Sequence, residues 1–475
     1  MQASETRLAP EAPASPRLTA MPGGVSPRRA LPRGPRTPRL FQSLRYSLWP
    51  YASLDISTRR YGDCYTAYPL GGPPMVVFTD PEAIKEIFTS DGAELRAGEA
   101  AGPILGPILG WHSILLLDGE RHHRERRLMA PPFHGERMHV YGRIMREIAD
   151  RVVDGWPLGQ PFPIHHEMQA ITLDIILRAV FGVDEGARFA RIRERIVRFL
   201  AQADGPAAAF LAIRPFQIEL RGLTPWGRFV RDREAIRAEL VAEIARRRSE
   251  GTEGRTDILS MLVEARDEQG EPMTDAELID EMFTLLMAGH ETTATSLAWV
   301  FHHVLDRPDV LAKLRAELGR VVGDGPVEAQ HVPQLEYLDA VLKESQRLTP
   351  VATNVIRRLT GPMRIAGRDL PAGITVSACI YATHRRPDLW PEPERFDPER
   401  FVGARPAPYT FFPFGGGIRR CIGAAFATYE MKIVLAQVLS RVELGSAPGY
   451  RMRPVLRTIT IAPSGGMPVV AERRR

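Results

Sequence analysis

Apolar residues recur every three to four positions through most of the chain. The spacing predicts helices over 136–154, 167–181, 186–203, 228–248, 275–305 and 423–440. Strand-like runs are few and short, at 64–68, 75–79, 374–380 and 455–462. A mainly α fold with a minor β portion follows. From residue 41 onward no second linker, internal repeat or low-complexity tract interrupts the pattern.

The longest periodic run carries its own start signal. Thr274-Asp275-Ala276-Glu277 is a capping box, and the apolar pattern continues to Leu305, before Pro308. At ~1.5 Å per residue such a helix is roughly 45 Å long, enough to cross a domain. Its middle reads Ala288-Gly289-His290-Glu291-Thr292-Thr293. A mid-helix glycine costs about 1 kcal/mol relative to alanine, and interior threonines bond back to the helix and loosen it. Either packing or a ligand must account for these residues.

Composition narrows the class. The chain has 475 residues, 44% hydrophobic and 25% charged, which allows a sizeable core. Its three cysteines, Cys64, Cys379 and Cys421, are too few for a disulfide scaffold or a four-cysteine iron–sulfur site. No apolar run approaches the 18 or so residues of a spanning helix, so no membrane anchor is predicted. No secretory signal is recognisable either. Residues 1–40 hold eight prolines, seven arginines and two acids, a composition that predicts a disordered tail; Met21 is an alternative start. The formal charge of +5 resides entirely in that tail. With a formally neutral body, the excess of base does not indicate a nucleic-acid partner. Only four lysines stand among 62 basic residues, a bias expected of a GC-rich bacterial genome; with no signal or anchor recognisable, a bacterial, cytoplasmic location is expected.

The segment Phe414-Gly415-Gly416-Gly417-Ile418-Arg419-Arg420-Cys421-Ile422-Gly423 is the richest in chemistry. A glycine-rich loop runs into a predicted helix with one cysteine at its start, where the helix dipole favours a thiolate. The glycines allow close approach of a flat ligand, and Arg419 can meet an anionic group beside it. A thiolate set against a flat anionic macrocycle is what axial ligation of haem iron requires. The competing reading is an inert buried thiol after a glycine turn.

This segment resembles the F-x-x-G-x-R-x-C-x-G signature of the cytochrome P450 family at every fixed position: Phe414, Gly417, Arg419, Cys421 and Gly423. Glu344-Ser345-Gln346-Arg347 resembles the family's E-x-x-R, and Phe396-Asp397-Pro398-Glu399-Arg400-Phe401 its F-x-P-E-R-F. The resemblance implies a buried network of Glu344, Arg347 and Arg400 behind the cysteine loop; Arg395 repeats the letters five residues too early. Ala288-Gly289-His290-Glu291-Thr292 resembles A/G-G-x-D/E-T. There the family implies a dioxygen groove at Gly289, a hydrogen bond from Thr292 and proton delivery by Glu291. It also implies haem-propionate contacts from His122 and Arg126, four apart on one helix, and from Arg357 and Arg419. Arg358 competes with Arg357, and His123 points about 100° away from His122.

The resemblance extends over residues 41–462 and implies a single-domain cytochrome P450 fold over 41–475, with a long central helix above the haem. Haem b is the implied cofactor, held through its iron by Cys421. The implied activity is that of a monooxygenase, with electrons from NAD(P)H through a separate ferredoxin or flavodoxin and its reductase. Arg121, Arg124, Arg127 and Arg420 would form the basic face for that acidic partner. Apolar segments at 97–117 and 205–224 fall where the family builds its pocket, which suits a lipophilic substrate. Pro131–Met138 is similar to the corresponding run of bacterial members acting on fatty acids, alkanes and terpenoids. Two alternatives remain. A peroxide-using haem-thiolate enzyme usually lacks the acid–threonine pair present here. A non-catalytic haem or gas-binding protein would be expected to carry a signalling segment, and none is recognisable.

Overall fold

The computed structural model describes residues 31–90, 94–135, 137–183, 186–203, 224–457 and 459–475. The helix Asp275–Leu305 runs the predicted length from the predicted cap. Thr274 Oγ1 accepts the Glu277 N–H at 3.2 Å, and Glu277 Oε2 accepts the Thr274 N–H at 2.8 Å. Its apolar residues lie in the main core with Ile171 and Ile175 of the helix Ile164–Ile175, Leu338 of Glu336–Leu348 and Val434 of Ala424–Arg441. Each fully buried Leu or Ile stabilises by about 1.5–3 kcal/mol, so this helix organises the fold around it.

The helix predicted over 167–181 begins earlier, at Ile164, and its last turn, Ile176–Val180, widens to a π-turn. There the Phe181 N–H reaches back five residues to Ile176 O at 3.1 Å. A five-stranded sheet lies to one side, in the order Cys64–Ala67, Met75–Phe78, Thr375–Cys379, Asn354–Leu359, Leu95–Arg96. Only the Met75–Phe78/Thr375–Cys379 pair is parallel. The strand Asn354–Leu359 escapes the apolar pattern because Arg357 and Arg358 interrupt it.

Two expectations need correction. The run 455–462 is a hairpin of Pro454–Arg457 and Thr460–Pro463, with Leu456 opposite Ile461. Its turn contains neither glycine nor proline, so the alternation reads straight through. The chain is also ordered before residue 41. Thr66 N–H and Oγ1 bond Arg33 O and Pro32 O at 3.2 and 2.8 Å. A side chain on Gly34 would come within 1.9 Å of Thr66 O, so only glycine fits there. The helix Arg39–Leu48 follows directly. Residues 1–30 of the expected tail lie outside the described residues. Among the described residues no helix is long and apolar enough to cross a membrane.

Candidate functional site

The cysteine loop is folded on itself and against a neighbour. The Cys421 N–H donates to Phe414 O at 2.9 Å, while half-buried Phe414 packs on the main core. Gly415 and Gly417 adopt positive φ of 69° and 64°. Side chains on Gly416 and Gly417 would strike Phe88, at 2.3 Å from its ring and 2.1 Å from its carbonyl oxygen. These glycines therefore admit the end of the helix Pro81–Thr89, which corrects their expected role of lying against a ligand. Gly423 differs, since an added carbon there meets nothing within 4 Å.

Cys421 is surface-accessible, yet protein crowds its sulfur, and burial raises the thiol pKa. The Gly423 N–H, Arg126 and Arg420 oppose that shift without overcoming it. The expected dipole-stabilised thiolate is thus corrected: the helix begins at Ala424, three residues later, and the protein alone favours the thiol. A coordinated cation would remove the proton. Burial pushes the other two thiols up further, Cys64 to about 11 and Cys379 to about 12. Of the three, Cys421 alone is an exposed residue, and two arginines act on it, where Cys64 has Arg368 only.

Cationic groups converge next to it. Arg126 lies within the field of Cys421 and of Arg420. His122 is buried, and its pKa falls to about 3, first by burial and then by Arg419, Arg126, His123 and Arg357. His122 is therefore neutral at pH 7, and the charged groups acting on it are positive. Arg358 lies on the opposite face of its strand, in the field of Glu99, so Arg357 is the arginine that joins His122. Arg419 has further partners: Leu117 O, Ile114 O at 3.2 Å and Asp118 Oδ1 at 2.5 Å. Asp118 in turn caps the helix Ala97–Leu109 through three N–H groups at 2.9–3.1 Å. This clamp between the cysteine loop and 110–118 was not anticipated, because nothing in the sequence pairs residues three hundred apart.

The long helix is buried on nearly all sides, but Ala288, Thr292 and Ser296 form an open stripe along one face. Thr292 Oγ1 donates to Ala288 O at 2.5 Å and Ser296 Oγ to Thr292 O at 2.8 Å, and the helix stays α-helical throughout. At Gly289 an added carbon would lie 2.7 Å from Ile176 Cδ1, so packing against the π-turn explains this glycine. His290 is a core histidine bonded to Thr172 at 2.9 Å.

Glu291 faces a polar network that sequence reasoning missed. Its carboxylate accepts from Gln169 Nε2 at 2.6 Å and Thr295 Oγ1 at 3.2 Å. Fully buried His165 lies 3.6 Å away and Arg457 3.8 Å. Arg457 can only donate, so His165 Nδ1 accepts from it at 3.0 Å, and Nε2 donates to Thr295 at 3.1 Å. The bonds run in one direction, from His165 through Thr295 to Glu291.

Glu344 and Arg347 form a bidentate pair at 2.7 and 2.8 Å with no side-chain exposure. Arg347 also donates to His384 O, Pro393 O and Arg395 O. Arg400 Nε stands 3.6 Å from Glu344, whereas the Arg395 side chain is 62% exposed and pairs with Glu392. Arg400 is thus the third member. Arg124 leaves the expected basic face, being bound to Asp267 at 2.6 Å and to Pro272 O. Arg121, Arg127 and Arg420 are exposed. Arg126, Arg420 and Lys432 line a cavity of about 370 Å³ beside Cys421.

An accessible cysteine, a cationic cluster suited to two carboxylates, an open face at Gly423 and an open polar stripe in the central helix fit an iron-bearing, dianionic flat ring. The class they define is a haem-thiolate protein. The sequence profile of the family described as Cytochrome P450 matches residues 32–469. The chain is 41% identical over 438 residues to a relative named cytochrome P450 135B1 from Mycobacterium bovis, covering 92% of this chain and 90% of that one. It is 36% identical over 452 residues to cytochrome P450 135A1 from Mycobacterium tuberculosis, covering 94% and 96%. Among solved structures, the retinoic acid-bound cyanobacterial CYP120A1 superposes with TM-score 0.79 at 26% identity, over 94% of this chain and all of that one. The haem domain of cytochrome P450DA shares the fold, with TM-score 0.82 at 24% identity over 94% and 98%. The chain belongs to the cytochrome P450 family, and is an oxidoreductase of the monooxygenase class that uses haem b.

Proposed function

We propose that this monooxygenase hydroxylates a lipophilic substrate of fatty-acid, alkane or terpenoid type in the bacterial cytoplasm. Its electrons come from NAD(P)H through a ferredoxin or flavodoxin and the matching reductase. One observation carries the substrate class. The helix Ala97–Leu109 consists of Ala, Gly, Pro, Ile and Leu apart from Glu99, and it packs against both the central helix and the strand bearing Arg357. An apolar helix packed on the central helix favours an apolar ligand. The retinoic acid named in the cyanobacterial structure is a lipophilic molecule of the same general kind. The other expected wall, at 205–224, lies outside the described residues apart from Thr224.

Haem b, when bound, supplies the iron at which dioxygen is activated. Cys421 would hold that iron, while His122 and the guanidinium groups of Arg126, Arg357 and Arg419 would hold the propionates; Phe414 and Gly423 would shape the seat. Ala288 keeps the neighbouring stretch of helix free of bulk, while Gly289 seats that helix on Ile176. Thr292, whose hydroxyl proton is engaged by Ala288 O, offers an acceptor to the stripe and donates when the hydroxyl rotates. Glu291, 18% exposed, moves protons between solvent and this helix. Its bonds to Gln169 and Thr295 hold it in place. Exposed Arg121, Arg127 and Arg420 receive the acidic electron donor.

The test is a panel of lipophilic compounds screened by the haem spectral shift, followed by turnover with redox proteins and NADPH. Hydroxylated product that requires both redox proteins is expected. Product formed as fast with hydrogen peroxide alone, and none with NADPH and redox proteins, would replace this reading with a peroxide-using enzyme.

A further inference from the structure

The helix Arg39–Leu48 is inverted relative to an ordinary surface helix. Its buried residue is polar: Gln42 donates to Thr37 O at 2.8 Å and Pro35 O at 3.3 Å, and accepts from the Tyr68 N–H at 3.0 Å. Tyr46 bonds Thr353 at 2.7 Å, and Arg45 bonds Ser53 and Ser57. The apolar residues face outward, with Leu40 58%, Phe41 62%, Leu44 49% and Leu48 51% exposed. At 100° per residue these four occupy a stripe about 100° wide. Trp49 follows at 60%. Leu70, 55% exposed, extends the patch, since its N–H bonds Ser43 Oγ of the same helix at 2.8 Å. Seven of the fifteen exposed large apolar side chains among the described residues lie between 40 and 70.

The charge along this segment of the chain is of one sign. Between Glu11 and Asp55 the sequence holds seven arginines and no acidic residue. Arg33, Arg36 and Arg39, the three at the foot of the helix, are all exposed.

We propose that this face docks on the surface of an anionic lipid bilayer, with the apolar stripe at the boundary of headgroups and acyl chains and the arginines over the phosphates. Two weak signals of this kind together give stable peripheral binding, where either alone is marginal. Each basic residue near an anionic surface strengthens binding about fivefold. A second copy of the chain fits the face poorly. The stripe is roughly 15 Å long, too small for the ~1,200 Å² that a stable protein interface buries, and its arginines would repel their equivalents.

The full-length, haem-loaded protein is sedimented with vesicles of phosphatidylcholine alone and of phosphatidylcholine with one-third phosphatidylglycerol. Binding to the anionic vesicles is expected, weakened by salt and about a hundredfold weaker on the neutral ones. Leu44→Asp with Leu48→Asp removes it, while Arg33→Gln with Arg36→Gln lowers it about thirtyfold on anionic vesicles only. Both variants replace exposed side chains, and an unchanged haem spectrum checks their folding. Failure to sediment with anionic vesicles would overturn the proposal, as would undiminished sedimentation of the leucine variant. So would a dimer in analytical ultracentrifugation that the leucine substitutions dissociate.

Discussion

Replacing Arg347 by methionine keeps much of the side chain's volume and removes five hydrogen bonds from a site with no solvent. Two go to Glu344, and one each to His384 O, Pro393 O and Arg395 O, all between 2.7 and 3.1 Å. Glu344 would keep the Asp397 N–H at 2.8 Å and a distant Arg400, too little for a buried carboxylate. Removing one partner of a buried ion pair costs about 3–5 kcal/mol, and each buried carbonyl left without a donor about 1–3 kcal/mol before relaxation. A loss of at least about 4 kcal/mol is therefore expected, a large part of the ~5–15 kcal/mol that holds a typical domain together. Arg400→Ala should cost about 1–2 kcal/mol for its single bond to Glu392 O and its long approach to Glu344. Exposed Arg395→Ala should stay within about 0.5 kcal/mol. Urea unfolding followed by circular dichroism gives the three values, and haem content reports whether the cysteine loop behind them survives. An Arg347→Met protein within about 1 kcal/mol of the parent, or an Arg395→Ala protein less stable than Arg347→Met, would refute the reasoning.

Thr292→Ala should keep haem content and substrate binding while diverting electrons to hydrogen peroxide; tight coupling of product to NADPH in that variant would make Thr292 a packing residue. Glu291→Gln should slow oxygen turnover by about 10–100-fold, read as NADPH oxidation under saturating redox partner. Gly289→Ala should destabilise by about 1–3 kcal/mol through overpacking on Ile176, and Ile176→Val in the same chain should recover part of the loss in urea melts. Burial raises the pKa of Glu125 to about 7, with Glu277 adding to the shift. The folded state then holds a proton that the unfolded chain releases near 4.5. The contribution of Glu125 to stability falls as pH rises from about 4.5 to about 7 and is flat above. Glu125→Gln should therefore gain in Tm relative to the parent on going from pH 5 to pH 8; an unchanged difference would mean Glu125 is not a buried acid.

Much of the site is legible in the sequence because short patterns encode it locally. The capping box at Thr274 starts the central helix, and the spacing of His122 and Arg126 puts them on one helix face. The loop around Cys421 closes on itself through Phe414 O. What was not legible depends on contacts between distant parts of the chain. Gly416 and Gly417 look like a ligand cradle in one dimension and make room for Phe88 in three. Gly289 reads as a groove and meets Ile176. Glu291 gives no hint that Gln169, His165 and Arg457 surround it, since those residues come from a different helix and a C-terminal hairpin. Charge also misleads locally: Arg124 stands three residues from both Arg121 and Arg127, but Asp267 removes it from the basic face. The outward turn of Leu40, Phe41, Leu44 and Leu48 was hidden for the same reason, because an apolar stripe is ordinarily a buried one.

The central claim is that Cys421 holds the haem iron as a thiolate. The measurement is the carbon monoxide difference spectrum of the reduced protein and of three variants, Cys421→Ala, Cys64→Ala and Cys379→Ala. The parent, Cys64→Ala and Cys379→Ala proteins should show the band diagnostic of a thiolate–iron bond, and Cys421→Ala should lose it. A Cys421→Ala protein that kept the band, with Cys64→Ala or Cys379→Ala losing it, would contradict the account.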